Sequence, residues 1–140
     1  MLTKLTHLKI GLLAVAVCTA ALFVGARVAS ASASGCTTGS SSGNVDTCFT
    51  VLGSGLFVSE MIASATVENA TRTIQVCIHG PDSVLPLCTP FETVSPGGTI
   101  TKTWSPDGDV PAGEYCARTW RDNADGSHTL IGELCVDVHA

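Results

Sequence analysis

Beyond residue 46 the chain runs in short segments where apolar and polar residues alternate with a period of two, the signature of half-buried strands. These segments span residues 47–52, 56–67, 71–79, 87–94, 99–104, 113–121 and 128–138. Turn-forming clusters separate them, notably Gly53-Ser54-Gly55, Gly80-Pro81-Asp82, Ser95-Pro96-Gly97-Gly98, Ser105-Pro106-Asp107-Gly108 and Asp125-Gly126. Phe57, Met61 and Ala65 would also fit a helical stripe. No clear cap precedes that run and it ends in β-branched Thr66 and Val67, so it reads as a strand. Seven short strands at this spacing predict an all-β fold, a small antiparallel sandwich.

Two hairpins can be set in register from the sequence. If Cys116 faces Cys135, the turn falls at Asp125-Gly126, a favoured turn dipeptide. Arg118 then opposes Glu133 and Trp120 opposes Ile131 on the cystine face, while Tyr115 and Ala117 meet Val136 and Leu134 on the other. If Cys77 faces Cys88, the turn falls near Asp82 and Ser83. Ile74, Val76 and Ile78 then stack with Leu87 and Phe91 on one face, and Thr73, Gln75, Pro90 and Glu92 join the cystine on the other. Both hairpins gain an outer staple and an inner apolar surface. Cys36 is left for Cys48, so sequential pairing is the expectation among the fifteen connectivities that six cysteines allow.

The count of six follows from the front of the chain. Lys4, His7 and Lys9 precede a 15-residue apolar run over residues 10–24, and Ala29-Ser30-Ala31-Ser32-Ala33 offers two overlapping small-x-small cleavage sites. That run would span only about 22 Å as a helix, short of a bilayer core of roughly 30 Å. Residues 1–33 therefore read as a signal-peptide helix that is cut away, after Ala31 or after Ala33. Cys18 leaves with it, which takes seven cysteines to six. An even set in a small exported chain implies three disulfides formed in an oxidising compartment, so the mature protein is expected to be secreted and extracellular. Ala33-Ser34-Gly35-Cys36 is a poor version of a lipoprotein processing box, and lipidating Cys36 would strand one of the remaining five cysteines. Residues 34–45, almost wholly Ser, Thr and Gly, read as a flexible lead-in, and residues 46–140 as the folded domain.

Without the leader, four basic residues (Arg72, Lys102, Arg118, Arg121) stand against twelve acids, a formal balance of 4 − 12 = −8. This acidic composition excludes the clustered cations of a nucleic-acid footprint and electrostatic docking to anionic lipid. No two of the six cysteines are close enough for a zinc knuckle or a redox dithiol. No cofactor or metal is expected.

Val110-Pro111-Ala112-Gly113-Glu114-Tyr115, with the alternating residues after it, resembles the penultimate-strand entry of bacterial extracellular immunoglobulin-like domains. Tyr115-Cys116-Ala117-Arg118 looks like the matching strand of antibody variable domains. The likeness covers about thirty residues. It implies an immunoglobulin-like sandwich and attaches no function. In the antibody pattern a Tyr stands two residues before the Cys, where this chain has Glu114, and no Trp occurs in residues 71–79. An Ala-rich leader and a compact cystine-bearing β domain give the chain the look of small secreted proteins of actinomycete type.

Candidate chemistry is sparse. Gly39-Ser40-Ser41-Ser42-Gly43 matches a nucleophile-elbow string, but that motif needs a strand before it and a helix behind, so no catalytic role is assigned to Ser41. His79, His128 and His139 are isolated in sequence and read as surface imidazoles. Asp107-Gly108-Asp109 and Asp122-Asn123-Ala124-Asp125-Gly126 could offer oxygen ligands to a hard cation, yet the same residues are what tight turns require. Asn69-Ala70-Thr71 is a glycosylation sequon, taken as chance in a chain with a bacterial-looking leader. Trp120 with Ile131 is the candidate partner-binding pair, an exposed aromatic beside an aliphatic. The expectation is a secreted, non-enzymatic binding or inhibitory module for an extracellular protein or glycan. The alternatives are a cell-envelope-associated structural protein and, third, a small secreted hydrolase.

Overall fold

A computed structural model describes residues 32–38 and 44–140. The leader expected over residues 1–33 falls outside it apart from Ser32 and Ala33, and so does the Ser41 string. Among the described residues there are ten strands: β1 (Ala33–Thr38), β2 (Val45–Ser54), β3 (Phe57–Val67), β4 (Arg72–His79), β5 (Leu87–Cys88), β6 (Glu92–Val94), β7 (Thr99–Trp104), β8 (Gly108–Asp109), β9 (Gly113–Asp122) and β10 (His128–Val138). They form two antiparallel sheets. The first has the order β1-β2-β3-β7 with β8 also on β3, and the second β10-β9-β4-β5 with β6 also on β4. The chain crosses between sheets after β3, β6 and β8, which gives an immunoglobulin-like sandwich with one added edge strand, β1.

Alternation builds the core. Val45, Thr47, Phe49 and Val51 of β2, Met61, Ala63, Ala65 and Val67 of β3, and Ile74, Val76 and Ile78 of β4 all point inward and are buried. Tyr115, Ala117 and Thr119 do the same on β9. Each large apolar side chain enclosed in this way contributes about 1.5–3 kcal/mol. The helical stripe at Phe57, Met61 and Ala65 resolves as a strand. An i, i+4 pair shares a face in either geometry, but Ala63, at i+2, is buried as well.

The cystine registers hold. Cys36 is bonded to Cys48, Cys77 to Cys88 and Cys116 to Cys135. Each pair stands directly opposite across an antiparallel ladder. Tyr115 and Cys116 are strand neighbours and so face opposite ways. Tyr115 turns into the core, where its hydroxyl donates to the Pro111 carbonyl at 2.9 Å and its ring stacks on Trp104 with centroids 6.2 Å apart. Cys116 is thereby turned outward and bridges within its own sheet instead of across the core, as the departure at Glu114 foreshadowed.

Four expectations are corrected. The lead-in over residues 34–45 contains a strand: β1 pairs with β2 from Ala33 opposite Val51 through Thr38 opposite Asp46. Residues 87–94 are two strands, because pairing with β4 runs through Ile78↔Leu87 and Cys77↔Cys88 and resumes one residue out of step at Ile74↔Glu92. The Thr89 side chain fills the gap, its Oγ1 accepting from the Val76 amide at 3.2 Å. As a result Val94, and not Phe91, joins the core. Finally, a bulge between Leu130 and Gly132 shifts β10, so Trp120 stands opposite Leu130. Ile131 turns inward and is 5% exposed.

Candidate binding groove

On the outer face of the second sheet, the side chains lie in rows set by register. His79, Cys116 and Cys135 form one row. Cys88, Cys77, Arg118 and Glu133 form the next, and Gln75, Trp120 and Leu130 a third. Phe91, thrown outward by the break between β5 and β6, lies across this face and stacks on His128 with ring centroids 4.6 Å apart. The result is an open groove of about 280 Å³ lined by Gln75, Cys77, His79, Cys88, Phe91, Trp120 and His128. Two aromatic rings and the Cys77–Cys88 cystine give it a mainly apolar wall. Leu130, 40% exposed, stands beside Trp120 and extends the apolar strip toward solvent.

The polar groups around the groove are held in place. Gln75 Nε2 donates to the Thr89 carbonyl at 2.7 Å, which ties β4 to the segment that carries Phe91. Arg118 and Glu133 form an ion pair on the neighbouring strands. His128 Nδ1 lies 3.3 Å from an Asp122 carboxylate oxygen. Burial lowers the pKa of His79 from 6.5, the Arg118 charge lowers it further, and Glu133 opposes the shift. His79 Nε2 is buried with no hydrogen-bond partner.

Of the pair expected to bind a partner, Trp120 belongs to this groove and Ile131 does not. Sequence reasoning missed Phe91 and Leu130, because both depend on a one-residue shift in pairing that leaves composition and alternation untouched. His79 and His128, isolated in sequence, come to the same groove. His139 sits at the other end of β10, 3.8 Å from Asp137. The acidic loop Asp122–Gly126 is a hydrogen-bonded turn. Asp125 Oδ1 accepts from the Ser127 amide at 2.9 Å and the Ser127 hydroxyl at 2.6 Å, and these bonds lower its pKa. Asn123 Nδ2 donates to Ser127 and Thr129. Asp107 takes a positive φ of 46° at the start of the short β8. Glu68, Asn69, Ala70 and Thr71 are exposed between β3 and β4. Glu114, Cys116 and Cys135 lie close together, but both sulfurs are already joined in a disulfide.

What these residues define is an antiparallel β-sandwich with a staple on each outer face and an aromatic groove on one of them. The chain matches no protein-family description, and neither a curated protein nor a solved structure shows significant similarity to it.

Proposed function

We propose that this chain is a secreted, non-catalytic binding module of the small bacterial immunoglobulin-like kind, acting as a ligand-capture or inhibitory protein through the groove around Trp120. One observation carries the reading: Trp120, Phe91 and Leu130 offer apolar surface to solvent on a face fixed by two disulfides, so a partner finds the site already formed. Rigid aromatic surface of this kind anchors interfaces because little side-chain entropy is lost on contact. The wall is mainly apolar, which favours an aliphatic or aromatic side chain of a protein partner over a glycan. The formal charge of −8 after loss of the leader favours a cationic partner and speeds its approach. Three cross-strand disulfides fit an extracellular setting, and Cys36, whose sulfur is joined to Cys48, is not available for a lipid thioether.

The test is capture from native culture medium on immobilised protein, with Trp120→Ala and an outer-face control, Thr101→Ala on β7, beside the unaltered chain. Truncating an anchor at the centre of an interface typically costs 2 kcal/mol or more, about a 30-fold loss of affinity. The expected result is a protein retained by the unaltered chain and by Thr101→Ala and lost from Trp120→Ala, with all three melting alike. Equal retention by all three would remove the groove from the proposal.

A further inference from the structure

The leader offers two cleavage frames that are chemically equivalent: Ala29-Ser30-Ala31 ahead of Ser32, and Ala31-Ser32-Ala33 ahead of Ser34. Small residues at the first and third positions before the cut satisfy a signal peptidase in both frames. The fold does not treat the two alike. We infer that processing occurs between Ala31 and Ser32, so that Ser32 is the first residue of the mature protein and serves as the last tie of β1 to β2. This rests on the reading of the chain as secreted.

Ser32 precedes the first rung of β1, Ala33 opposite Val51. Its hydroxyl donates to the Gly53 carbonyl at 3.1 Å and accepts from the Gly53 amide at 3.3 Å. One side chain thus takes both main-chain groups of a single residue, the role the next residue of β1 would play if the ladder went on. Gly53 needs this help because of where it stands. The β2–β3 ladder shifts between Leu52 and Gly53. Gly53 is pressed so close to the neighbouring strand that a Cβ there would lie 2.1 Å from the Phe57 carbonyl oxygen. Ser32, Ala33 and Ser34 also line a shallow recess with Thr50, Val51 and Leu52.

A cut after Ala33 would discard Ser32 and the first rung together. It would leave both Gly53 groups to solvent and place a charged α-ammonium inside the ladder at Ser34, opposite Thr50. A cut after Ala31 keeps every one of these bonds, with the new ammonium one residue ahead of the strand. Once β1 has paired, the Ala33–Ser34 peptide lies within an antiparallel ladder, and a protease can take it up only when that ladder opens. Cys36, three residues from Ala33 and bonded to Cys48, holds the ladder shut.

The experiment is to express the full chain in a secreting bacterial host, recover it from the medium, and determine its first residue by N-terminal sequencing and intact mass. Ser32 is the expected first residue. Ser34 as the first residue of half or more of the material would overturn the inference while leaving secretion intact. A retained leader, or added mass on Cys36, would instead overturn the secretion reading on which it rests. A second measurement addresses the hydrogen bonds directly: amide exchange at Gly53 in chains made to begin at Ser32 and at Ser34. Exchange at Gly53 at least about 10-fold faster in the shorter chain is expected, because an unpaired edge amide opens freely. Equal exchange would show that Ser32 ties nothing down and would overturn the structural half of the argument.

Discussion

A buried polar contact between Thr47 and Thr119 joins the two sheets, and the structure sets its worth. Thr47 on β2 and Thr119 on β9 are each 0% exposed, and their Oγ1 atoms lie 2.7 Å apart across the core. One hydroxyl donates to the other. Thr119→Val removes one partner and keeps the shape, which leaves the Thr47 hydroxyl buried in apolar surroundings. The cost of such an orphan is about 1–3 kcal/mol. Thr47→Val has the same cost from the other side. The double substitution removes both hydroxyls and leaves two methyl groups in contact, a change that is close to neutral. The two single losses therefore do not add, and the cycle should return a coupling of about 2 kcal/mol or more. For a domain near 100 residues, 1 kcal/mol moves the melting midpoint by roughly 4–8 °C. The assay is reversible urea unfolding at neutral pH with the disulfides intact, followed by tryptophan fluorescence and circular dichroism so that two-state behaviour is checked. If the double variant is destabilised by the sum of the singles, the hydroxyl pair does not join the sheets and the reasoning fails.

Other expectations follow from the same packing. A Cβ at Gly132 would lie 2.0 Å from Thr47 Oγ1 and 2.9 Å from Thr47 Cβ. Gly132→Ala should thus lower stability by about 1–3 kcal/mol in the same unfolding assay, with part of the loss regained in combination with Thr47→Ala; no recovery would place the clash elsewhere. Burial, with the Asp82 charge second, raises the Tyr115 pKa from 10 to about 12. The folded state holds the proton more tightly, so this stability is fully present below pH 10 and is lost as pH rises through 12, an alkaline loss on the order of 2 kcal/mol. In Tyr115→Phe that loss should vanish from urea midpoints measured against pH, at the expense of the Pro111 hydrogen bond, about 1 kcal/mol. His79 shifts the other way. Its folded pKa lies below 6.5, so the unfolded chain binds more protons just under that value and stability falls as pH drops through this window. Arg118→Gln removes one of the two causes, and the midpoint of His79 in an NMR titration should move up toward 6.5. Replacing Cys116 and Cys135 by Ser opens a loop of 19 residues and should lower stability by about 3 kcal/mol. The same change at Cys36 and Cys48 should release β1 locally, seen as faster exchange of its amides while β3 and β9 keep their protection.

Alternation and cysteine spacing together made most of the sandwich legible. Each hairpin cystine implied a register, and the register implied which residues faced inward. Ile74, Val76, Ile78, Tyr115 and Ala117 were placed correctly on that ground alone, as was Arg118 beside Glu133. A period of two is a local property, fixed by the geometry of each strand, so it survives into the folded protein unchanged. Where pairing slips by one residue, the period stays intact in each strand while the face reverses. This happened at Thr89 to Phe91 and at Leu130 to Gly132, and both slips border the groove. Trp120 was therefore placed on the outer face, Ile131 was mistaken for its neighbour, and Phe91 was put in the core.

The sequence by itself determined the fold class and the outward position of the cystines, because both rest on residue type and local spacing. It also placed Tyr115 in the core, one residue out of phase with Cys116. Tertiary structure decided the rest. The Ser- and Gly-rich segment from Ala33 to Thr38 has no apolar face of its own, yet it is a strand because the open edge of β2 supplies hydrogen-bond partners and Cys36 anchors it there. The groove exists because two bulges, set by how strands meet and not by what any one of them contains, turn Phe91 and Leu130 out beside Trp120 and turn Ile131 in.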